Sequence, residues 1–431
     1  MPTRWRATAA VLVCAIHIAA FVPTIGDWSS ILINDFAPQA RAIKAGDLPY
    51  RDQDIEYPPL SVPVLIAPIY VDDSTQGFVD GFMWEMLAFD LAIIVLIALA
   101  LPGDTRRVLS ALGIYTVGLL ILSDVVLDPS LIDTGPLALD RFDLVPTLFV
   151  LAAVLARDRG RSATWSGLLS VGVAIKAFPL FLYPALLRRE ISLRRVAVAG
   201  AIPLLLCAAA VIVTGDEFGS AISYHTQRAL QVESLAASPF EIAHVLGASG
   251  ITTGVGHGGF EISASGATAA RWISVVIGAA LYLAIVGAGW RSKTSNLQLV
   301  TALLTVMVVF APVLSPQFLL WILPVSACAY GLSRENLVLL VAILFTQIEL
   351  QNYDGVDALS GAFVWPLAAR NVYLLVYLAL VATPILRPRT ADRAPSAGTA
   401  SPDSSADPSE FSDSPHRFRA TSPAEFQPCD L

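Results

Sequence analysis

Apolar stretches of roughly 20 residues recur along the chain and are separated by short polar connections. A helix of that length can cross about 30 Å of hydrocarbon, and no alternation typical of membrane β-barrels is visible. The pattern predicts an all-α integral membrane protein with about ten crossings. The predicted crossings lie near 7–25, 78–101, 108–127, 142–156, 196–214, 269–290, 297–314, 316–331, 335–350 and 364–386.

Two apolar stretches do not fit a simple crossing. Residues 58–71 are too short and are followed by two aspartates, so we expect an interfacial or re-entrant piece. The stretch 163–187 has Lys176 at its middle and Pro179 just after it. Because proline cannot donate a backbone hydrogen bond, this stretch is predicted to be a broken hairpin, with its tip outward.

Charge indicates the orientation, since Lys and Arg in short loops collect on the cytoplasmic side. The short connections are basic, whereas two long loops, 26–57 and about 215–268, fall on the other side. This predicts a multi-pass plasma membrane protein with both termini cytoplasmic and an extracytoplasmic active site. Residues 1–386 form the predicted membrane domain. Residues 387–431, rich in Ser, Pro, Ala and Asp, are predicted to be a disordered cytoplasmic tail.

Composition agrees with the membrane class and narrows the partners. The 431 residues are 55% hydrophobic and 14% charged, with a mean hydropathy of +0.66, which exceeds what a soluble core needs. The formal net charge is −8. Since no concentrated basic surface offsets it, nucleic acid is not expected as a partner.

Motifs are concentrated around the predicted outer loops. An acidic, proline-punctuated segment follows the first span and contains Asp35-Phe36, Ala45-Gly46-Asp47-Leu48-Pro49-Tyr50 and Glu56-Tyr57-Pro58-Pro59-Leu60. Later stretches are Asp140-Arg141-Phe142-Asp143, the hairpin from Gly172 through Lys176 to Pro179, Tyr224-His225-Thr226-Gln227-Arg228, Gln231-Val232-Glu233-Ser234 and Ser315-Pro316-Gln317. Taken in this order, they resemble glycosyltransferase family 87 over roughly residues 30–320.

The resemblance implies a GT-C-like helical bundle whose outer-face loops carry the active site. It further implies transfer of a sugar, typically mannose, from a polyprenyl phosphate to an acceptor hydroxyl. The acceptor would be a glycolipid or lipoglycan, and membrane lipid would surround both substrates. Inversion of the anomeric centre is expected, with no metal or other cofactor. The alternatives are a lipid or glycolipid transporter or flippase without transferase activity, and an inactive assembly scaffold.

Asp35 is the predicted general base. A carboxylate just outside the bilayer can take the proton of an attacking sugar hydroxyl, whereas the same group in hydrocarbon would be strongly desolvated. A purely structural role is also compatible with the pattern. In that case Asp35 would cap a short helix beginning at Phe36 or Ala37, just before Pro38.

Lys176, His225 and Arg228 are the predicted holders of the donor phosphate, because an anion at the interface needs cationic hydrogen-bond donors. Lys176 is an isolated cation in an apolar stretch, a placement that usually marks function, although it could also extend to the interface. His225 and Arg228 are three residues apart and would share one face of a helix. Alternatively His225 is solvated and Arg228 pairs with Glu233.

Four more residues are predicted to contact substrate, with weaker support: Arg141, Asp143, Tyr57 and Gln317. Arg141 and Asp143 immediately precede a predicted span, so a structural ion pair between them at the interface is the competing interpretation.

Other polar features are given minor roles. Asp52-Gln53-Asp54 has the spacing of a divalent-metal motif, but loop acids this close are usually solvated. Glu85 and Asp90 fall inside a predicted crossing, where they would line a wet cavity or pair with Arg370. The glycine-rich run 254–259 lacks a P-loop lysine and is predicted to be a flexible loop, so use of a nucleotide sugar is not indicated.

Overall fold

A computed structural model describes residues 3–124, 136–188, 193–215, 219, 228–256 and 258–387. The helices belong to one compact unit that ends at Arg387. The predicted tail beyond Arg387 and the predicted phosphate ligand His225 lie outside the described residues.

The chain is mostly helical. Its helices are α1 (Thr3–Phe21), α2 (Ala37–Ala45), α3 (Ser61–Ile66), α4 (Thr75–Ala100), α5 (Thr105–Leu122), α6 (Leu144–Asp158), α7 (Ser162–Ile175), α8 (Tyr183–Leu187), α9 (Leu193–Thr214), α10 (Ser238–Val245), α11 (Ala267–Arg291), α12 (Asn296–Val309), α13 (Leu319–Tyr330), α14 (Arg334–Leu350) and α15 (Gly361–Leu386).

Among the described residues, five helical segments are long and apolar enough to cross a membrane, namely Arg4–Thr24, Thr75–Ala100, Thr105–Leu122, Ala267–Arg291 and Gly361–Leu386. Shorter apolar helices occupy other predicted spans. The multi-pass membrane class is therefore supported, while the number of crossings stays a prediction.

The predicted break at Lys176 is confirmed. Helix α7 ends at Ile175, and Lys176 is extended, with φ −149° and ψ 136°. A 3-10 helix, Phe178–Leu182, follows with its proline in the first turn, where a missing N–H does no harm. The backbone thus turns at the lysine and presents its side chain at a helix end.

A β-hairpin makes the all-α prediction wrong in one region. Strands β1 (Thr252–Gly256) and β2 (Gly259–Ser263) pair antiparallel, so the glycine-rich run belongs to a hairpin rather than a flexible loop. Gly258 has φ +73°, a left-handed conformation that glycine adopts without strain. The preceding segment joins this sheet, because the Val232 amide donates to the Phe260 carbonyl at 2.9 Å.

The charged groups inside the helices pair differently from the prediction. Asp90 does not reach Arg370, because its carboxylate contacts His17 Nδ1 at 2.6 Å and accepts from the Tyr115 hydroxyl at 2.7 Å. Arg370 instead donates to Glu349 at 2.6 Å. Both side chains of the His17–Asp90 contact and of the Arg370–Glu349 ion pair are fully buried, so neither pair lines a wet path.

Arginines at one end of the bundle close helix ends by donating to backbone carbonyls. These contacts are Arg6 to Leu101 at 2.8 Å, Arg157 to Leu186 at 2.9 Å and Arg188 to Gly289 at 3.1 Å. Residues 26–74 and 228–263 lie at the other end, called the loop end below. The basic connections therefore lie at one end of the bundle and the long loops at the other, as the sequence predicted. Which side of the membrane each end faces stays a prediction.

Candidate active site

A cavity of about 500 Å³ opens at the loop end, within the range of about 300–1,000 Å³ typical of small-molecule sites. Its walls come from segments far apart in sequence: Glu56 and Tyr57 at the end of the first loop, Arg141 before α6, Lys176 after α7, residues 228–233 and 258–259, and residues 312–321. Both charged groups and aromatic rings line the space. Such a cavity suits a ligand with an anionic part and an apolar part.

Lys176 is held at the cavity by an ion pair and aromatic rings. Its Nζ donates to Asp143 Oδ1 at 2.8 Å, and the same oxygen accepts from Trp321 Nε1 at 2.5 Å. The ammonium also lies over four rings, at 4.9–5.9 Å from their centroids, which belong to Tyr57, Phe142, Phe318 and Trp321. Cation–π attraction adds to the ion pair, so Lys176 is fixed in place while still lining the cavity.

Arg141 pairs with its neighbour rather than with Asp143. Its Nη1 lies 3.0 Å from Asp140 Oδ2, so the alternative interpretation, a structural ion pair between Arg141 and Asp143, is wrong. Asp143 is 1% exposed and faces Lys176 instead. Burial raises the pKa of Asp140 to about 6, and Arg141 and the Ser29 hydroxyl oppose that rise. The Arg141 side chain is 17% exposed and lines the cavity.

Asp35 lies beside the cavity and does not line it. It is exposed and sits in a π-helical turn, Leu32–Phe36, that runs directly into α2. Asp35 does not cap α2, since Phe36 occupies the N-cap without a side-chain hydrogen bond. Turns of this kind are rare and recur at functional sites. The local backbone is therefore unusual at the residue predicted to act as the base.

Two cavity residues are within electrostatic reach of Asp35. Partial desolvation raises the pKa of the Asp35 carboxyl, the positive charge of Arg141 lowers it, and the negative charge of Glu56 raises it. Burial is the main cause of a pKa of Tyr57 well above its ordinary value, and Glu56 adds to that shift. Glu56 and Arg141 thus connect Asp35 to the cavity.

The opposite wall carries buried hydrogen-bond acceptors. Gln231 and Glu233 line the cavity and are 4% and 2% exposed. Glu233 Oε1 accepts from the Tyr353 hydroxyl at 3.0 Å, and its backbone carbonyl accepts from Arg370. The nearby charge of Arg228, which also lines the cavity, opposes the rise that burial causes in the pKa of Glu233.

Five predicted residues are brought together at the cavity, namely Tyr57, Arg141, Lys176, Arg228 and Gln317. Asp143 lies behind Lys176, and Asp35 lies beside the cavity. The roles of all of them stay predictions.

Sequence reasoning assigned no site role to Glu56, Gln231, Glu233, Trp321 or Tyr353. Glu56, Gln231 and Glu233 belong to the motifs that carried the family resemblance, and that signal could have singled them out. Trp321 and Tyr353 lie in or next to apolar segments, in which an aromatic residue usually fills the core. Only the fold brings those two rings to the cavity.

Asp52, the first acid of the Asp52-Gln53-Asp54 motif, has a local structural role. Asp52 accepts from the Arg51 guanidinium at 3.0 Å and from the Leu48 amide at 2.9 Å. These contacts close a turn in the first loop and hold the carboxylate on its own chain segment.

Comparison with known families adds an independent observation. The model of glycosyltransferase family 87 matches residues 56–316. The matched region begins at Glu56 and includes Arg141, Lys176, Arg228 and Glu233, whereas Asp35 precedes it and Gln317 follows it. No curated protein matches the chain.

Proposed function

The chain belongs to glycosyltransferase family 87, and from that premise we propose that this membrane glycosyltransferase uses a polyprenyl-phosphate sugar. The proposed sugar is mannose, and the proposed acceptor is a hydroxyl of a glycolipid or lipoglycan. The reaction takes place at the extracytoplasmic face of the plasma membrane and needs no metal or other cofactor.

The observation that carries the proposal is a cluster of three cations around one cavity, with an exposed carboxylate at its side. Arg141, Lys176 and Arg228 line the cavity, and a phosphate diester there would receive charge-assisted hydrogen bonds. Asp35 is close enough to Arg141 for the charge of one to act on the other. We place the donor phosphate among these cations and the base at the side of the cavity.

The proposed chemistry is a single displacement. The acceptor hydroxyl oxygen forms a bond to the anomeric carbon as the bond from that carbon to the phosphate oxygen breaks. Asp35 takes the hydroxyl proton, and the departing polyprenyl phosphate keeps the bonding electron pair and is stabilised by the cations. Attack from the face opposite the phosphate inverts the anomeric centre. A second carboxylate acting as nucleophile is not required.

The arrangement of charge along the bundle supports the proposed orientation of the site. Arginines concentrate at the end opposite the cavity, and such residues favour the cytoplasmic side. The lipid tail of the donor would lie among apolar helices, with its phosphate at the loop end.

Incubation of the purified protein with polyprenyl-phosphate mannose and a membrane lipid extract tests the proposal. We expect a product heavier by one hexose, detected by mass analysis, and less product from polyprenyl-phosphate glucose. A protein that moves the lipid donor across vesicles without forming any such product would be a flippase, and the transferase proposal would be wrong.

Replacing Arg141 with Gln is expected to lower kcat/KM by about 10- to 100-fold, because one charge-assisted contact to the phosphate is lost. It should also move the acid limb of the pH profile. A base must be deprotonated, and Arg141 lowers the pKa of Asp35. Losing that charge raises this pKa, so the rate should begin to fall at a higher pH. A profile of kcat/KM against pH measures both effects.

Arg51→Gln is the matched control, since Arg51 is exposed and pairs only with its neighbour Asp52 among the described residues. It should leave the rate and the pH profile unchanged. An unshifted acid limb in the Arg141 variant would contradict the electrostatic link to Asp35.

A further inference from the structure

Gln231 and Glu233 form a pair of buried acceptors in the cavity wall. Gln231 Oε1 and Glu233 Oε2 are inaccessible, and neither receives a hydrogen bond from the part of the chain that the structure describes. Buried polar atoms are nearly always satisfied, so each such atom at a cavity calls for a partner. A ligand that brings hydroxyl donors would supply it.

The backbone that carries these side chains is rigidly held. The Gln231 amide donates to the Pro312 carbonyl at 3.0 Å, and the Val232 amide donates to Phe260 at 2.9 Å. The amide end of Gln231 packs against Gly259, where a Cβ would lie 2.8 Å from Gln231 Nε2. These contacts fix the backbone positions of Gln231 and Glu233 before any ligand binds.

Glu233 is fixed at its side chain as well. Its Oε1 accepts from Tyr353, and Arg370 holds its carbonyl. Arg370 is itself oriented by Glu349 at 2.6 Å and by Asn371 at 3.2 Å. Glu233 is therefore anchored at its carbonyl and at one carboxyl oxygen, and its second carboxyl oxygen is left for another donor.

We propose that Gln231 and Glu233 form a sugar-hydroxyl subsite that binds the hexose of the donor while the neighbouring cations hold its phosphate. The inference rests on the proposed function and deepens it by naming the residues that read the sugar. Both residues line the cavity, and a small rotation of their side chains would bring the two acceptors to hexose hydroxyls. The rings of Tyr353 and Trp321 line the same cavity. A site built to pair with a hydroxyl rejects an analogue that lacks it, because its buried acceptor is then left unpaired.

The test is a binding measurement on the full-length protein in detergent, with mannose 1-phosphate and inorganic phosphate as soluble probes. We expect wild type to bind the sugar phosphate more tightly than phosphate. Glu233→Gln and Gln231→Met should each weaken sugar-phosphate binding by about 10- to 100-fold relative to phosphate binding. Deoxymannose 1-phosphates, each lacking one hydroxyl, should identify the hydroxyl that each acceptor binds. Removing that hydroxyl should weaken binding to wild type. It should have little further effect on the variant that lacks the matching acceptor.

Glu241→Gln is the matched control, because Glu241 is equally buried nearby and does not line the cavity. It should bind both probes like wild type. If both subsite variants keep the full preference for the sugar phosphate, the subsite is wrong. If that preference depends on Gln231 and Glu233 while no donor supports transfer, the subsite stands and the transferase proposal is wrong.

Discussion

Replacing Asp35 with Asn should lower sugar transfer by about 10²- to 10⁴-fold, the range that one general base contributes. Asn keeps the size and polarity of the side chain and cannot accept the proton of the acceptor hydroxyl. The residue is exposed in a π-helical turn and caps no helix, so the variant should fold normally. Transfer from polyprenyl-phosphate mannose measures the rate, and the melting temperature in detergent checks the fold.

Asp54→Asn is the control for this prediction. Asp54 is an exposed acid of the same loop. It belongs to the Asp52-Gln53-Asp54 motif, which has the spacing of a divalent-metal site. Its replacement should leave the rate close to that of wild type. A large loss in the Asp54 variant, with none in the Asp35 variant, would instead favour a metal-assisted reaction.

Glu56 is the carboxylate that competes with Asp35 for the role of base. It lines the cavity directly, and its charge raises the pKa of Asp35. If Asp35 is the base, Glu56→Gln lowers that pKa and extends activity to lower pH, because the base then stays deprotonated over a wider range. If transfer disappears in the Glu56 variant and survives in the Asp35 variant, Glu56 is the base.

The sequence predicted the helical framework well because membrane spans are long, apolar and bounded by charge. It also located the break at Lys176, since an isolated cation next to a proline is unfavourable within a continuous apolar helix. The hairpin 252–263 was missed for a local reason. Its strands are five residues each and contain glycines, which weaken the strand pattern.

The partners of charged residues could not be read from sequence spacing. Arg141 and Asp143 are two residues apart and suggested an ion pair, yet Asp143 pairs with Lys176, which is 33 residues further along the chain. Spacing limits which groups can meet within one helix, whereas tertiary packing decides which groups meet between segments. The same limit applies to Gln231 and Glu233, whose burial depends on contacts with Phe260, Pro312 and Arg370.

The ion pair raises the question of whether Lys176 serves the fold or the phosphate. Lys176→Met should lower the free energy of unfolding by about 3–5 kcal/mol, because it leaves the Asp143 carboxylate buried without its cation. A loss of stability this large is expected only because the Lys176–Asp143 pair is buried. An exposed pair contributes only about 0–1 kcal/mol, so Lys44→Met, which removes the exposed partner of Asp73, is the matched control.

The double variant Lys176→Met/Asp143→Asn separates the two roles. The side-chain amide introduced at position 143 carries no charge, and its oxygen can still accept from Trp321 Nε1, so most of the lost stability should return. Transfer should remain at least about 10²-fold below wild type, since a preorganised cation at the leaving phosphate is missing. Melting temperature and kcat/KM are measured on the same preparation. Recovery of both stability and transfer would show that Lys176 only balances Asp143 and that Arg141 and Arg228 suffice for the phosphate.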